Sequence, residues 1–347
     1  MREAAPGPQR RATRADVARR AGVSDAVVTY TLNGGAPVAR ATAERVLQAV
    51  ADLGYQPNQA ARALKSGSSR TLGLILPDGP DPVFANPLFT EFANAVEGAA
   101  RRRGYALYMT PTPPDQAAVV TRLNDFATRQ VDGVLVVPGE GSLDPEVLDR
   151  IGIPWLQLNT VHDHDGVESI GVDLFAGAVL ATEHLAGHGH RRIAFVGEND
   201  EREPRYRGWR DACERLGVEP GPAFDAPYTR QGGYAAGLEL AAQSPVPAAV
   251  FAASDLIALG VLRALHERGI LIPQDVAVVS FDGTWEAEYS WPALTSVRQP
   301  IEEMAEAAVT AILAPSAPTE RRHRVFGGEL VPRTSCGPHD PASPAGG

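Results

Sequence analysis

Residues 13–33 read TRADVARRAGVSDAVVTYTLN, two short helical patterns around one glycine. Thr13 is a capping residue, and from it a helix runs to about Arg20. On it Val17, Ala18 and Ala21 share a face, while Arg14, Arg19 and Arg20 point elsewhere. Gly22 ends that helix and Ser24 caps a second one, to about Asn33, so that Ala21-Gly22-Val23 is a turn of the length used in helix-turn-helix units. At about 100° per residue, Val27, Val28, Thr31 and Leu32 fall on one arc of the second helix. Asp25, Ala26, Thr29, Tyr30 and Asn33 fall on the opposite one. The first arc packs and the second is left to read something. A third helix, roughly Thr42 to Leu53, repeats apolar residues at Val46, Val50 and Leu53 and closes a small core before Gly54.

Charge supports that division. Residues 1–70 hold 11 Lys+Arg against 5 Asp+Glu, and the remainder 21 against 37, so a chain of net charge −10 carries a basic head. Such asymmetry points to a polyanion at one end, nucleic acid foremost. With 347 residues, 44% apolar and 21% charged, the chain is neither wholly disordered nor fibrous. It has no apolar run near 18 residues, and its start, MREAAPGPQRRATR, lacks the apolar core of a secretory signal. A cytoplasmic protein with no membrane partner is expected. Cys213 and Cys336 cannot form a disulfide framework.

Asp16-Val17-Ala18, Ala21-Gly22-Val23-Ser24, Leu32-Asn33, Leu53-Gly54-Tyr55, Pro57-Asn58 and Ala61-Arg62-Ala63-Leu64 resemble the head of the LacI/GalR family of bacterial transcription regulators. The resemblance implies that the second helix enters the major groove and that a homodimer reads the two half-sites of a pseudo-palindromic double-stranded operator. Thr13, Ser24, Asp25, Ala26, Thr29, Tyr30 and Asn33 then lie at the DNA. Ala26 offers only a methyl where many relatives have larger hydrogen-bonding groups, and Tyr30 replaces a frequent Arg. Asp25 has two roles open, accepting from a cytosine amino group or placing favourable charge on the helix N-terminus.

After Tyr55, Asn58 can cap an Ala-rich segment too short to be helical alone, and Gly67-Ser68-Ser69 is a flexible joint. In the family this is a hinge helix that pairs with its dimer mate in the minor groove. The resemblance places Asn58, Ala60 and Ala61 there and makes Leu64 the side chain wedged between base pairs. A plain linker, with Leu64 packed on the core domain, is the other reading.

From Thr71 short apolar runs alternate with helical ones. Strands are expected at Leu72–Leu76, Tyr105–Met109, Val134–Val137, Trp155–Leu158, Ile193–Val196, Ala248–Ala252 and Val276–Phe281. The fold class is a small all-α helix-turn-helix head on an α/β core of parallel sheets covered by helices. Val131-Asp132-Gly133, Gly171-Val172-Asp173, Gly189 to Phe195, Phe281-Asp282, Leu294 to Val297 and Leu330 to Ser335 resemble that family's effector domain, two-lobed like a periplasmic sugar-binding protein. The expected organisation is a flexible arm (1–12), the helix-turn-helix domain (13–55), hinge and linker (56–70), an effector and dimerisation domain (71–337) and a disordered tail (338–347). Its first lobe spans about 71–169 and 299–328, its second about 170–297 and 329–337.

Ligands in open α/β lobes sit at the carboxyl ends of strands. Asn159, Ser254-Asp255 and Asp282 follow three of them, and the resemblance adds Arg205 and, in the first lobe, Asn86. Phe89 offers an apolar face. A guanidinium among carboxylate and amide groups suits a small polyhydroxylated effector, a carbohydrate. Asp255 is equally well read as a helix cap. Ser254 stands where Asn is common, and Gly79 to Pro82 lengthen the loop before Asn86, both departures from the family.

His184, His188 and His190 invite a metal reading. Gly187 and Gly189 end the helix, however, and no acidic ligand follows at a suitable spacing, so no metal or cofactor is expected. His162-Asp163-His164-Asp165 reads as exposed loop. Phosphate-binding glycine loops and nucleophile elbows are missing, and Glu286, Glu288, Glu302 and Glu303 read as surface rather than acid/base pairs, so the chain is not expected to be an enzyme. The expected function is an effector-responsive repressor. The rival is a solute-binding protein without sequence-specific DNA recognition. After Arg333 only 14 residues remain, without heptads, so a dimer rather than a tetramer is expected.

Overall fold

A capping box opens the first helix. Asp16 N–H donates to the Thr13 hydroxyl at 3.3 Å, and Thr13 N–H donates back to the Asp16 carboxylate at 2.9 Å. The computed structural model describes residues 12–33, 36–56, 67–79, 83–138, 143–160, 167–314 and 322–338, and the chain separates into two units at Ser69/Arg70. In the first, α1 (Arg14–Ala21), α2 (Asp25–Asn33) and α3 (Arg40–Leu53) enclose Val17, Ala18, Ala21, Val28, Val46 and Ala49. Gly22, at φ 66°, adopts the left-handed conformation that turns α1 into α2, at a position where a side chain would strain the backbone. The hinge residues Asn58, Ala60, Ala61 and Leu64 lie outside the described residues, as do the 162–165 loop and most of the arm and tail.

The second unit carries two sheets. The first consists of β1 (Thr71–Pro77), β2 (Ala106–Thr112), β3 (Gly133–Val136), β4 (Trp155–Leu158), β5 (Ser169–Val172) and β11 (His323–Phe326), in the order β11-β5-β4-β3-β1-β2, all parallel. The second contains β6 (Arg192–Gly197), β7 (Glu219–Asp225), β8 (Ala249–Ala252), β9 (Ala277–Asp282), β10 (Thr295–Arg298) and β12 (Glu329–Val331). Its order is β12-β10-β9-β8-β6-β7, with only β12 antiparallel. Both lobes thus repeat one winding, in which the chain runs outward from β1 to β2, or from β6 to β7, and then reverses. The crevice at that reversal, beyond the carboxyl strand ends, is where such sheets bind ligands.

Helices cover the sheets. They are α4 (Pro87–Arg102), α5 (Gln116–Thr128), α6 (Pro145–Asp149), α7 (Leu174–Gly187), α8 (Pro204–Leu216), α9 (Arg230–Ala241), α10 (Asp255–Glu267), α11 (Trp285–Tyr289) and α12 (Ile301–Leu313). The chain passes between lobes after β5, after β10 and after β11. α12 returns to the first lobe, where Arg102 and Arg103 of the α4 end hold Glu306, Arg102 at 2.9 Å. One boundary needs correction. Residues 170–172 belong to the first lobe, because β5 pairs with β4 and β11, and the second lobe starts at Asp173, the cap of α7.

Candidate functional site

On the head, α2 presents Asp25, Ala26 and Tyr30 to solvent with Thr29 half-buried beside them, while Val28 is buried and Val27, Thr31 and Leu32 are half-buried. This is the division the wheel geometry expects. Ser24 accepts at its carbonyl from Val27 and Val28 N–H, starting the helix. For Asn33 only the backbone is described. Arg14, which points away from the Val17–Ala18–Ala21 face, reaches the Asp25 carboxylate at 3.2 Å and the Thr29 hydroxyl at 3.4 Å with its guanidinium. The start of α1 is thereby tied to the outward arc of α2. In the DNA-free head Asp25 is thus ion-paired, and the Thr13 hydroxyl is engaged in its cap.

The second lobe assembles a buried polar cluster at the β6/β8 reversal. Glu203 caps α8, accepting from Arg205 N–H at 3.2 Å, and also receives the Arg205 Nε at 2.7 Å. Arg205 Nη1 donates to the Ala253 carbonyl, just after β8, at 3.0 Å, so one side chain spans the crevice. Its guanidinium lies 4.6 Å from the Tyr228 ring centre and 5.7 Å from that of Phe281. Burial works against its charge, but Tyr228, Glu203 and Asp282 more than offset it and hold the guanidinium above its ordinary value. Arg205 stays protonated.

Asp282 ends β9 in a left-handed conformation, φ 108°, and is buried. Gln299 Nε2 donates to its Oδ1 at 2.9 Å. Burial first, and the neighbouring Asp255 second, raise the Asp282 carboxyl above the usual range, with Arg205 opposing. Asp255 has a different task. Its Oδ1 accepts from Ser280 Oγ at 2.6 Å and Ser296 Oγ at 2.7 Å, and its Oδ2 from the Thr284 N–H at 2.7 Å and hydroxyl at 2.8 Å. Both oxygens are filled. The expectation that Asp255 contacts an effector is corrected to one of positioning the β9–α11 turn behind Asp282. Ser254 likewise caps α10, accepting from Ile257 N–H at 3.2 Å.

Across the crevice, Asn86 caps α4 through its oxygen, which accepts from Leu88 N–H at 3.0 Å and leaves its NH2 for other use. Phe89 lies half-buried in the first turn of that helix, and Asn159, at φ 61°, follows β4. Two contacts bring the lobes face to face here. Trp285 N–H donates to Glu91 Oε1 at 2.8 Å, and Arg230, held by Glu286 at 2.7 Å, donates to the Ala85 carbonyl at 3.2 Å. Glu286, expected at the surface, is instead half-buried and holds Arg230, the residue that reaches across to the first lobe. The sequence reading also missed Gln299 and Tyr228. The Gln299 carbonyl oxygen and the Tyr228 hydroxyl are buried without a partner at full hydrogen-bonding geometry, although Glu203 lies near the phenol. Gln299 follows β10, so the strand-end rule that found Asn159 and Asp282 would have found it had β10 been recognised.

Residues 13–58 match the family described as bacterial regulatory proteins, lacI family, and residues 182–336 match a periplasmic binding protein-like domain. The HTH-type transcriptional repressor PurR of Pasteurella multocida is 31% identical over 310 residues, covering 87% of this chain and 91% of its own. The chain belongs to the lacI family. A regulator named CelR, solved in complex with cellobiose, shares 31% identity at a TM-score of 0.67 and covers 94% of this chain and all of its own. The lac repressor dimer, solved with operator and the anti-inducer ONPF, shares 25% at a TM-score of 0.80, covering 95% of this chain and all of its own. As a lacI-family protein the chain is a DNA-binding transcriptional regulator with an effector-binding core. No helix among the described residues is long and apolar enough to cross a membrane.

Proposed function

We propose that this lacI-family chain is a cytoplasmic, homodimeric, non-enzymatic repressor whose α2 reads a pseudo-palindromic operator and whose interlobe cleft senses a small polyhydroxylated molecule of the carbohydrate class. The observation that carries the effector half is the Arg205–Asp282 cluster. A buried permanent cation, a carboxyl, the unpartnered Gln299 oxygen and the Tyr228 hydroxyl beside Glu203 together offer donors and acceptors side by side. A hydroxyl both donates and accepts, so a polyol satisfies such a mixed set, whereas an apolar ligand would leave buried groups unpaired. Phe89 supplies an apolar wall, and Asn86 and Asn159 the first-lobe polar contacts. The cellobiose complex of the CelR regulator and the repressor name of the Pasteurella relative support the two halves of this reading.

Response to ligand follows from geometry. A ligand touching both lobes favours the arrangement in which Glu91 meets Trp285 and Arg230 meets Ala85, and it shifts operator affinity only by its differential affinity for the two arrangements. A thermal-shift screen of sugars and nucleosides, followed by operator binding with the hits, tests the proposal. A sugar that raises the melting temperature and changes operator affinity is expected. Hits confined to nucleosides would overturn the carbohydrate assignment.

A further inference from the structure

We propose that His184, His188 and Cys336 form a binding site for a zinc-type divalent cation that clamps the C-terminal segment of the core onto the end of α7. Gly187 and Gly189 do end the helix, which closes at Gly187, and they separate His190 from its face. His184 and His188 still span one complete turn, because His188 is the C-cap and donates its N–H to the His184 carbonyl at 3.2 Å. The two imidazoles, one helical turn apart, therefore lie on one side, with ring centres 4.7 Å apart. Cys336, 152 residues away in sequence, enters the same spot, its sulfur 3.3 Å from His184 Nε2. One ligand atom from each of the three residues lies within 4.8 Å of the others.

The separations suit zinc. Zinc–nitrogen bonds of about 2.0–2.1 Å and a zinc–sulfur bond of about 2.3 Å at a tetrahedral angle put the two ligand atoms about 3.5 Å apart. The measured 3.3 Å needs only a small outward movement to admit the ion. Two imidazoles and a thiolate are a donor set for zinc rather than for calcium or magnesium, which take oxygen ligands. The sulfur is also oriented from behind. Thr295 Oγ1 accepts from Arg333 N–H at 2.7 Å and lies 2.9 Å from Cys336 Sγ, where its hydroxyl is placed to donate to the thiolate that the ion requires. Metal-ligand sulfurs and imidazoles are held by outer partners of this kind. The cysteine is buried while both histidines are half-buried, so the ion enters from the histidine side, and water takes the fourth position. Binding is balanced by release of the thiol proton to solvent, the imidazoles entering neutral.

The site lies in the second lobe beside β10, away from the Arg205–Asp282 cluster. It would fasten a segment already threaded into the second sheet, where Ser335 Oγ donates to the Val278 carbonyl at 2.6 Å and Val278 N–H donates to Ser335 at 2.8 Å.

Cobalt and zinc titrations of the full chain test the proposal. One cobalt per chain is expected, with a thiolate-to-cobalt charge-transfer band in the near ultraviolet that zinc abolishes, and a melting temperature that rises with zinc. Cys336→Ser should lose the band. His188→Gln, which leaves the sulfur in place, should weaken binding at least about tenfold. Cys213→Ser, altering the other buried cysteine, should keep band and affinity. A cobalt complex without the band, a band that survives Cys336→Ser, or a chain that binds neither ion would overturn the site and leave a plain His184–Cys336 hydrogen bond.

Discussion

Gln299 donates its side-chain amide to Asp282 at 2.9 Å, while its own carbonyl oxygen is buried and meets no partner among the described residues. Gln299 sits where the chain passes from β10 back to the first lobe, and Asp282 ends β9. The pair therefore joins a crossover to the floor of the cleft, with an acceptor still open.

Asp282 also makes the core pH-sensitive. Burial and the adjacent Asp255 raise its carboxyl, so over part of the pH range the folded chain holds a proton that the unfolded chain has released. The resulting stability is full below the ordinary aspartate pKa, about 4. It is lost as pH rises through the raised folded value. Asp282→Asn removes the titration, so its denaturation midpoint should gain on the wild type as pH rises through that window and then level off. Parallel midpoints across the window would contradict the shift.

On the head, Thr29→Ala and Tyr30→Ala should weaken specific operator binding while leaving the fold intact. Losing one good base contact costs about 1–3 kcal/mol of discrimination. Both side chains lie on the arc facing away from the Val17–Val28–Val46 core. DNA selection followed by binding titrations checks this, and unchanged affinity for both variants would remove α2 from the reading role.

Leu64 lies outside the described residues, and its role rests on the family resemblance. As a minor-groove wedge, Leu64→Ala should lower operator affinity and bending yet leave the melting temperature of the DNA-free protein unchanged. Truncating a Leu packed in the core would instead cost about 2–5 kcal/mol of stability. Melting curves without DNA separate the two.

Helix-to-helix contact in the second lobe sets a further expectation. Gly233 and Gly260 let α9 and α10 cross backbone to backbone, and a Cβ at Gly260 would collide with the Arg230 carbonyl and the Tyr234 nitrogen. Gly260→Ala should cost about 1–3 kcal/mol, and it should also weaken effector binding because Arg230 bridges the lobes from that crossing. In α4, a Cβ at Gly98 would meet only the tip of Arg102 at 3.4 Å, so Gly98→Ala should gain roughly 0.5–1 kcal/mol. Urea denaturation of the two variants measures both.

Periodicity made the three head helices and the central strands legible, because Val134, Trp155, Ile193 and Val278 sit in runs buried on both faces. It failed at the edges. β7 reads Glu-Pro-Gly-Pro-Ala-Phe-Asp and looks like a loop, since an edge strand tolerates prolines that a central one does not. β11 and β12, also at edges, were missed as well, and so were two interior strands, β5 (Ser-Ile-Gly-Val) and β10 (Thr-Ser-Val-Arg), whose four residues are too short and too polar to stand out as apolar runs. In the cleft, Arg205 and Asp282 could be placed from strand order and resemblance. The filled state of Asp255 could not, because Ser280, Thr284 and Ser296 reach it only after folding. Cys336 beside His184 is likewise a product of topology, without any spacing signal.

The claim that sensing and reading are carried by separate residues is tested most directly by fluorescence anisotropy of a selected operator fragment. Wild type and Arg205→Ala would be titrated with and without the sugar found by the thermal screen. Losing a charged hydrogen-bonding anchor should cost about 1.5–3 kcal/mol of ligand affinity, roughly ten- to a hundredfold. The account predicts that both proteins bind the operator equally without sugar and that only the wild type changes its affinity when sugar is added at concentrations saturating for it. An Arg205→Ala protein that keeps the full sugar response, or that loses the operator when no sugar is present, would contradict it.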